Sequence, residues 1–512
     1  MLLTWTVVAA IVTLGYICLI IYRLSFHPLA RFPGPRLAAA THWYEAYFEL
    51  VHKGGPCYAS KIRQMHDSYG PIVRINPNEI SVRDAEFHDK LYTSRHSEIR
   101  DRHPHFSATI GTTNSSFSTV DHHLHRSRRM AYSPFFGSAN VVAAEPLIMN
   151  MVNKLCERVS SFKDEETSLG ILFAAISFDT FHTWAFGSSL GLLDDLKFAH
   201  EINQGIEALV TSPPFYRIFP TMMTIAKKVP PIILGRLFTR FRKVLEITRM
   251  ILKTAEAWVA THRGEPQREK SIMLEKPRSR TLFAVIDGSG APDEEKSVLR
   301  MAQEGVEMFM ASSSLGRSMI VGMYYLHANP HILEKLQNEL DRVNPDPSVD
   351  LSFSKLNSLP YLRAVVKEVL RTSAPTGARL PLLCHEDIQF QNWSIPAKTG
   401  ISVNHRDLLF DPTVFTDPYE FKPERWLNEV NSIDEKRYNI PFGKGTRSCP
   451  SKEASTQFIQ LTLATLIQRF DFEMYDTIWE RDVAIKTESI VVAPSKASQG
   501  IKIKPVGVRR FI

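Results

Sequence analysis

The sequence predicts a mainly α fold with a small β part, preceded by one N-terminal transmembrane helix. Three observations carry this. Residues 2–22, LLTWTVVAAIVTLGYICLIIY, hold no charged side chain. The stretch PIVRINPNEISVRD (71–84) alternates as strands do and is broken by an Asn-Pro-Asn turn. Beyond it, helical apolar periods dominate and the connecting strand candidates are short and few.

The anchor comes first. About twenty apolar residues at a 1.5 Å rise cross a bilayer core of roughly 30 Å. A cleaved leader would need a basic start, a shorter apolar run and a small-residue cleavage site, and 2–22 has none of these. Arg23, Arg31 and Arg36 follow the span and no Lys or Arg precedes it, which places the following chain in the cytosol. The sequons at Asn114 and Asn392 would then never meet the glycosylation machinery. The expected division is an anchor at 1–22, a proline-rich hinge at 23–40 stiffened by Pro28, Pro33 and Pro35, and one large body at 41–512.

The body has the material for a large core: of 512 residues, 44% are hydrophobic and 22% charged, with no repeat and no low-complexity tract. The formal charge of +7 is spread along the chain. It argues against nucleic-acid binding and suits an anionic membrane surface or an acidic protein partner. Five widely spaced cysteines without a CxxC pair exclude a disulfide framework and a structural zinc site, and fit a reducing compartment.

The strongest helix is expected from Pro292-Asp293 to Asn329-Pro330, opened by acidic residues and stopped by Pro330. At roughly 35 residues it would be on the order of 50 Å long and must cross the middle of the body. Further helices are expected at 360–373 and 451–470, with short strands between them. The stretch 212–234 is apolar and broken by prolines. It is either a loop and helix over the core or a second membrane contact beside a substrate entrance.

One cysteine stands out. In PFGKGTRSCPS (441–451), Cys449 follows Arg447 and two glycines and precedes an apolar helix. A thiolate is a strong ligand for soft metals, and a helix N-terminus favours it. Pro450 suits a first helical position, Gly443 and Gly445 let backbone approach a flat ligand, and Arg447 can pair with a carboxylate. On these residues alone, a metal ligand and a small buried hydrophobe both remain open.

The loop resembles the haem-binding loop of the cytochrome P-450 family, F-G-x-G-x-R-x-C-x-G, at Phe442, Gly443, Gly445, Arg447 and Cys449. KEVLR supplies Glu368 and Arg371, similar to the family's ExxR pair, and PERW supplies Arg425, which closes the family's charge triad. The resemblance gives these three a bracing role. HRSRR places His125 and Arg129, and TGARLP places Arg379, where family members reach haem propionates. The HHLH cluster at 122–125 then reads as a polar helix face with one residue turned to haem. The likeness extends over nearly the whole chain. Its phrasing is closest to fungal microsomal members of the trichodiene-oxygenase-like group.

The resemblance implies a cytochrome P-450 fold and a haem-thiolate monooxygenase with haem b, Cys449 as axial iron ligand, and an apolar terpenoid or polyketide-like substrate of secondary metabolism. It also implies NADPH as electron source through NADPH-cytochrome reductase, and a single-pass protein in endoplasmic reticulum lipid. Two departures qualify it. Ser451 stands where the family has glycine. Aligned on Glu304 and Ala311, ASSSLG puts Ser312 for glycine, Ser314 for the acid and Leu315 for the threonine near the oxygen site. The three serines form either a small-residue groove or a relay in which Ser313 or Ser314 takes over proton delivery. The missing acid and threonine also motivate a rearrangement, dehydration or cyclisation in place of oxygen insertion. A haem-binding scaffold without turnover is disfavoured by the intact Cys449, Arg447, Glu368, Arg371 and Arg425.

Overall fold

Helix Leu169–Phe186 shows how the core forms. Its apolar residues run around the whole circumference, so it must be enclosed on every side, and Leu172, Phe173, Ile176 and Phe178 are fully buried. Helices Ser138–Ser160, Leu196–Thr211 and Ser313–Ala328 surround it. Gly316 permits the last of these contacts, because a Cβ there would stand 3.3 Å from the Phe173 carbonyl oxygen. The computed structural model describes residues 2–95, 97–162, 166–230, 233, 235–236, 238–263, 280–427 and 435–508. Positions 231, 232 and 234 of the 212–234 stretch lie outside the described residues.

The expected elements form, with corrections. Helices Pro360–Ser373 and Lys452–Arg469 lie where predicted, except that Pro450 is not a first helical position, since Ser451 caps a helix that begins at Lys452. The 71–84 stretch is an antiparallel hairpin, Ile72–Asn76 on Glu79–Val82. It extends into a five-stranded sheet through Gly400–Ser402, Leu382–Cys384 and Arg100–Arg102. The long helix does not run unbroken. A short turn at Asp293–Lys296 is followed by Val298–Ala311, an interruption at Ser312, and Ser313–Ala328. The reason is local: Ser312, Ser313 and Ser314 donate their hydroxyls to the carbonyls of Phe309, Met310 and Ala311, at 2.7, 2.8 and 2.9 Å. Such bonds compete with the helical ladder.

At the N-terminus, helix Leu2–Ile21 continues as a wider π turn to Phe26, and the span from Thr4 is long and apolar enough to cross a membrane. Helix Leu169–Phe186 also meets that measure of length and composition, but it is buried in the core. The proline-rich segment after the span is fastened to the body. Leu29 and Phe32 are buried, Arg74 donates its backbone N–H to the Pro33 carbonyl at 2.7 Å, and a Cβ on Gly34 would meet the Arg74 carbonyl at 2.5 Å.

Candidate active site

The Cys449 loop is shaped by its glycines and closed by its own backbone. Gly443 and Gly445 have φ of +68° and +73°, in the left-handed region. At Gly445 a Cβ would meet the Tyr92 carbonyl at 2.4 Å, so no other residue fits without displacing the end of helix Ala85–Leu91. Cys449 donates its N–H to the Phe442 carbonyl at 2.8 Å, and Arg129 donates Nη1 to the Ser448 carbonyl. The Cys449 thiol is exposed into a cavity of about 1220 Å³, and Ser451 Oγ lies 3.2 Å from Sγ. Facing a thiolate, only the serine can donate that bond, so the serine that departs from the glycine pattern adds a polar contact to the sulfur.

The cavity wall joins distant parts of the chain. Phe442, Gly443, Arg447 and Cys449 come from the loop; His125 and Arg129 from helix His122–Tyr132; Arg102 from strand Arg100–Arg102; and Ser312, Ser314 and Leu315 from the interrupted helix. The apolar lining includes Phe117, Phe181, Val306 and Met308, with Phe215, Met222 and Ile225 from the 212–234 stretch. That stretch forms helices Pro213–Ile218 and Pro220–Lys228, so it is a cavity wall whose Met222 and Ile225 also face outward.

Arg102 is the residue that the sequence reading missed. Strand pairing with Leu382 fixes it, and the Val120 carbonyl accepts its N–H at 3.0 Å. Among the described residues, Arg102, Arg129 and Arg447 make no ion pair. The nitrogens Arg102 Nε and Nη1, Arg447 Nε and His125 Nδ1 are buried without a hydrogen-bond partner. Burial pulls Arg102 down to about 10, burial and the nearby Arg102 charge pull Arg447 down to about 8, and burial with the three arginines pulls His125 down to about 2, so its imidazole is neutral. Unpaired buried cations of this kind suit carboxylates brought in by a ligand.

Two expected site residues stand elsewhere. Arg379 does not line the cavity; it is buried between Glu45 and Glu79, with Nη1 3.1 Å from Glu79, and these acids hold its charge above the usual arginine range. Ser313 does not line the cavity either, because helical phase turns Ser312, Ser314 and Leu315 toward it. Among the described residues, those of the His122–His125 cluster included, no group of three or more His, Cys, Asp or Glu side chains is placed to hold a metal ion.

The charge triad forms behind the site. Arg371 donates Nε and Nη2 to the two Glu368 oxygens at 2.9 and 2.8 Å, and Arg425 donates Nε to Glu368 at 3.1 Å. Trp426 Nε1 and the Lys422 backbone N–H complete the carboxylate, at 2.9 and 3.0 Å. Arg371 Nη1 reaches the carbonyls of Leu409 and Pro418, which ties helix Pro360–Ser373 to the 409–426 segment.

Comparison with known proteins agrees with this geometry. Residues 42–499 match the cytochrome P-450 family model. The chain is 33% identical over 509 residues to the cytochrome P-450 monooxygenase sdnE of Sordaria araneosa, covering 98% of both chains. It is 32% identical over 502 residues to the tryptophan 6-hydroxylase fscE of Fusarium equiseti, covering 97% of this chain and 96% of the relative. It is likewise 32% identical over 499 residues to the cytochrome P-450 monooxygenase TRI4 of Trichoderma arundinaceum, covering 96% and 94%. The chain therefore belongs to the cytochrome P-450 family, whose cofactor is haem, and is a monooxygenase of that family.

Proposed function

We propose that this monooxygenase oxidises an apolar terpenoid or polyketide-like metabolite in a fungal biosynthetic pathway. The observation that supports it most is the gathering of Cys449, three unpaired arginines and a neutral histidine on one large, mostly apolar cavity. Haem b fits these residues. The Cys449 thiolate would bind its iron, and Arg102, Arg129, Arg447 and His125 would hold its propionates. Bound there, the group supplies oxygen activation, which a thiolate ligand favours.

The chain's own part is positioning and proton control. Phe442 presents an aromatic face at the loop, while Phe117, Phe181, Val306 and Met308 exclude water from an apolar skeleton. Ser314 keeps a hydroxyl at the cavity, in the place of an acid. Its proton lies on the Ala311 carbonyl, so passing it on requires the hydroxyl to rotate, with water to refill it. Electrons would come from NADPH through NADPH-cytochrome reductase, with the body in the cytosol and the span in the endoplasmic reticulum membrane. A second reading is favoured by Leu315, which brings no hydroxyl to the cavity: rearrangement, dehydration or cyclisation.

The test is turnover with reductase, NADPH and isotopically labelled dioxygen on a panel of terpenoid and polyketide skeletons. Label in the product supports oxygenation. Product formed without NADPH puts the second reading first.

A further inference from the structure

Two carboxylates line the cavity among the described residues, and they differ in one respect. Both come from helix Val298–Ala311, about one turn apart. Glu304 is saturated: Arg300 Nη1 pairs with it at 2.5 Å, and Ser116 gives it a backbone N–H at 2.9 Å and a hydroxyl at 2.7 Å. That carboxylate pins the loop after Arg102 to the helix. Glu307 has one hydrogen bond, from the Thr112 hydroxyl to Oε2. Its Oε1 has no hydrogen-bond partner and its carboxyl no ion pair among the described residues.

Glu307 is half-buried and lines the cavity. Burial pushes its carboxyl up to about 7, with the Glu304 charge adding to the shift and Thr112 and the more distant Arg102 opposing it. Around neutral pH it can therefore meet a hydroxyl or an ammonium. A carboxyl left half-matched in an apolar pocket is unfavourable, and a ligand that brings a hydrogen-bond donor removes that penalty. A pocket of this kind discriminates against an analogue that lacks the donor.

We propose that Glu307 is the polar docking point of the substrate cavity. The substrate is then an apolar skeleton that already carries an O–H or N–H donor, and a reaction that installs a hydroxyl or amine must precede this one. The inference rests on the monooxygenase reading above, with haem in the same cavity.

The test uses the full-length, haem-loaded protein in lipid nanodiscs. Four probes share one skeleton: androstane, androstanone, androstanol and dimethylaminoandrostane. Binding is read from the Soret change. At pH 8.5, where the Glu307 carboxyl is ionised and only accepts, the native protein should bind the alcohol or the amine at least about tenfold tighter than the alkane and the ketone, and which of the two it prefers identifies the donor. Glu307→Leu should abolish the preference. Glu307→Gln should keep it for the alcohol and lose it for the amine. Should the leucine variant fail to retain haem, the glutamine variant carries the test: a native amine preference must drop about tenfold, and a native alcohol preference must survive. Equal binding of all four probes, binding of none, or a preference that persists in Glu307→Leu overturns the proposal. The thiolate band of the reduced carbon monoxide complex is measured on the same samples. Its absence in the native protein counts against the haem-thiolate reading, not against Glu307.

Discussion

Arg102 and Arg447 meet on one acceptor. The carbonyl of Val120 takes the backbone N–H of Arg102 at 3.0 Å and Nη2 of Arg447 at 2.8 Å. A strand end and the cysteine loop are thereby locked together, and both guanidiniums face the cavity with nitrogens unused.

The cavity takes in Arg102, which the sequence reading passes over, and leaves out Arg379, which that reading expects there. Arg102→Gln should fold yet release haem faster, by about tenfold for a lost charge-assisted bond. Arg379→Gln should release haem at the native rate but melt lower, since Glu45 and Glu79 lose their shared partner. Haem transfer to apomyoglobin and thermal unfolding measure the two effects, and the reverse pattern would refute the assignment.

Glu368 is the centre of the triad, so the variants should rank by what they leave unpaired. Glu368→Gln strips the charge partner from buried Arg371 and should cost about 3–5 kcal/mol, enough to prevent accumulation of folded protein. Arg425→Ala leaves the Arg371 pair intact and should cost less. Equal losses in expression and melting temperature would show that the carboxylate is not the hub.

What the sequence showed and what it hid have physical reasons. The Glu368–Arg371 pair and the 71–84 hairpin depend on short spacings, and both formed as read. The Phe442–Cys449 loop matched because its glycines and cysteine are consecutive constraints on one turn. Arg102 was invisible: a lone arginine in Asp-Arg-His-Pro carries no periodic signal, and its position comes from pairing with distant Leu382. Arg379 was misplaced for the same reason, because its competing acids Glu45 and Glu79 lie far away in the chain. The break at Ser312 was hidden because apolar periodicity does not register hydroxyls that turn back on their own helix.

Ser313 and Ser314, which the sequence does not distinguish, should differ in effect, because only Ser314 lines the cavity. Ser314→Ala is expected to divert electrons from product to peroxide, since Ser314 lines the cavity. Ser313→Ala should leave coupling unchanged. Peroxide formed per NADPH consumed, measured for each variant with an oxidised probe, decides it. An effect of Ser313 equal to that of Ser314 would return both to a packing role.

Glu49 sets a pH dependence. Its Oε2 is buried without a partner, and burial pushes the carboxyl up to about 7 against the pull of Arg217 and Arg379. A carboxyl raised in the folded state lends stability that is complete below its unfolded pKa of about 4.3 and lost as pH rises through about 7. Glu49→Gln stays neutral throughout. Its melting temperature relative to the native protein should therefore climb between pH 5 and pH 8, on the order of a few degrees. A constant difference over that range would contradict the sign.

The central claim is that Cys449 holds haem iron through its thiolate. The most direct measurement is the absorption of the dithionite-reduced carbon monoxide complex of the native chain and of Cys449→Ala. The native protein should show the red-shifted Soret band of thiolate ligation, and the variant should lose that band. An unchanged thiolate band in Cys449→Ala would contradict the account.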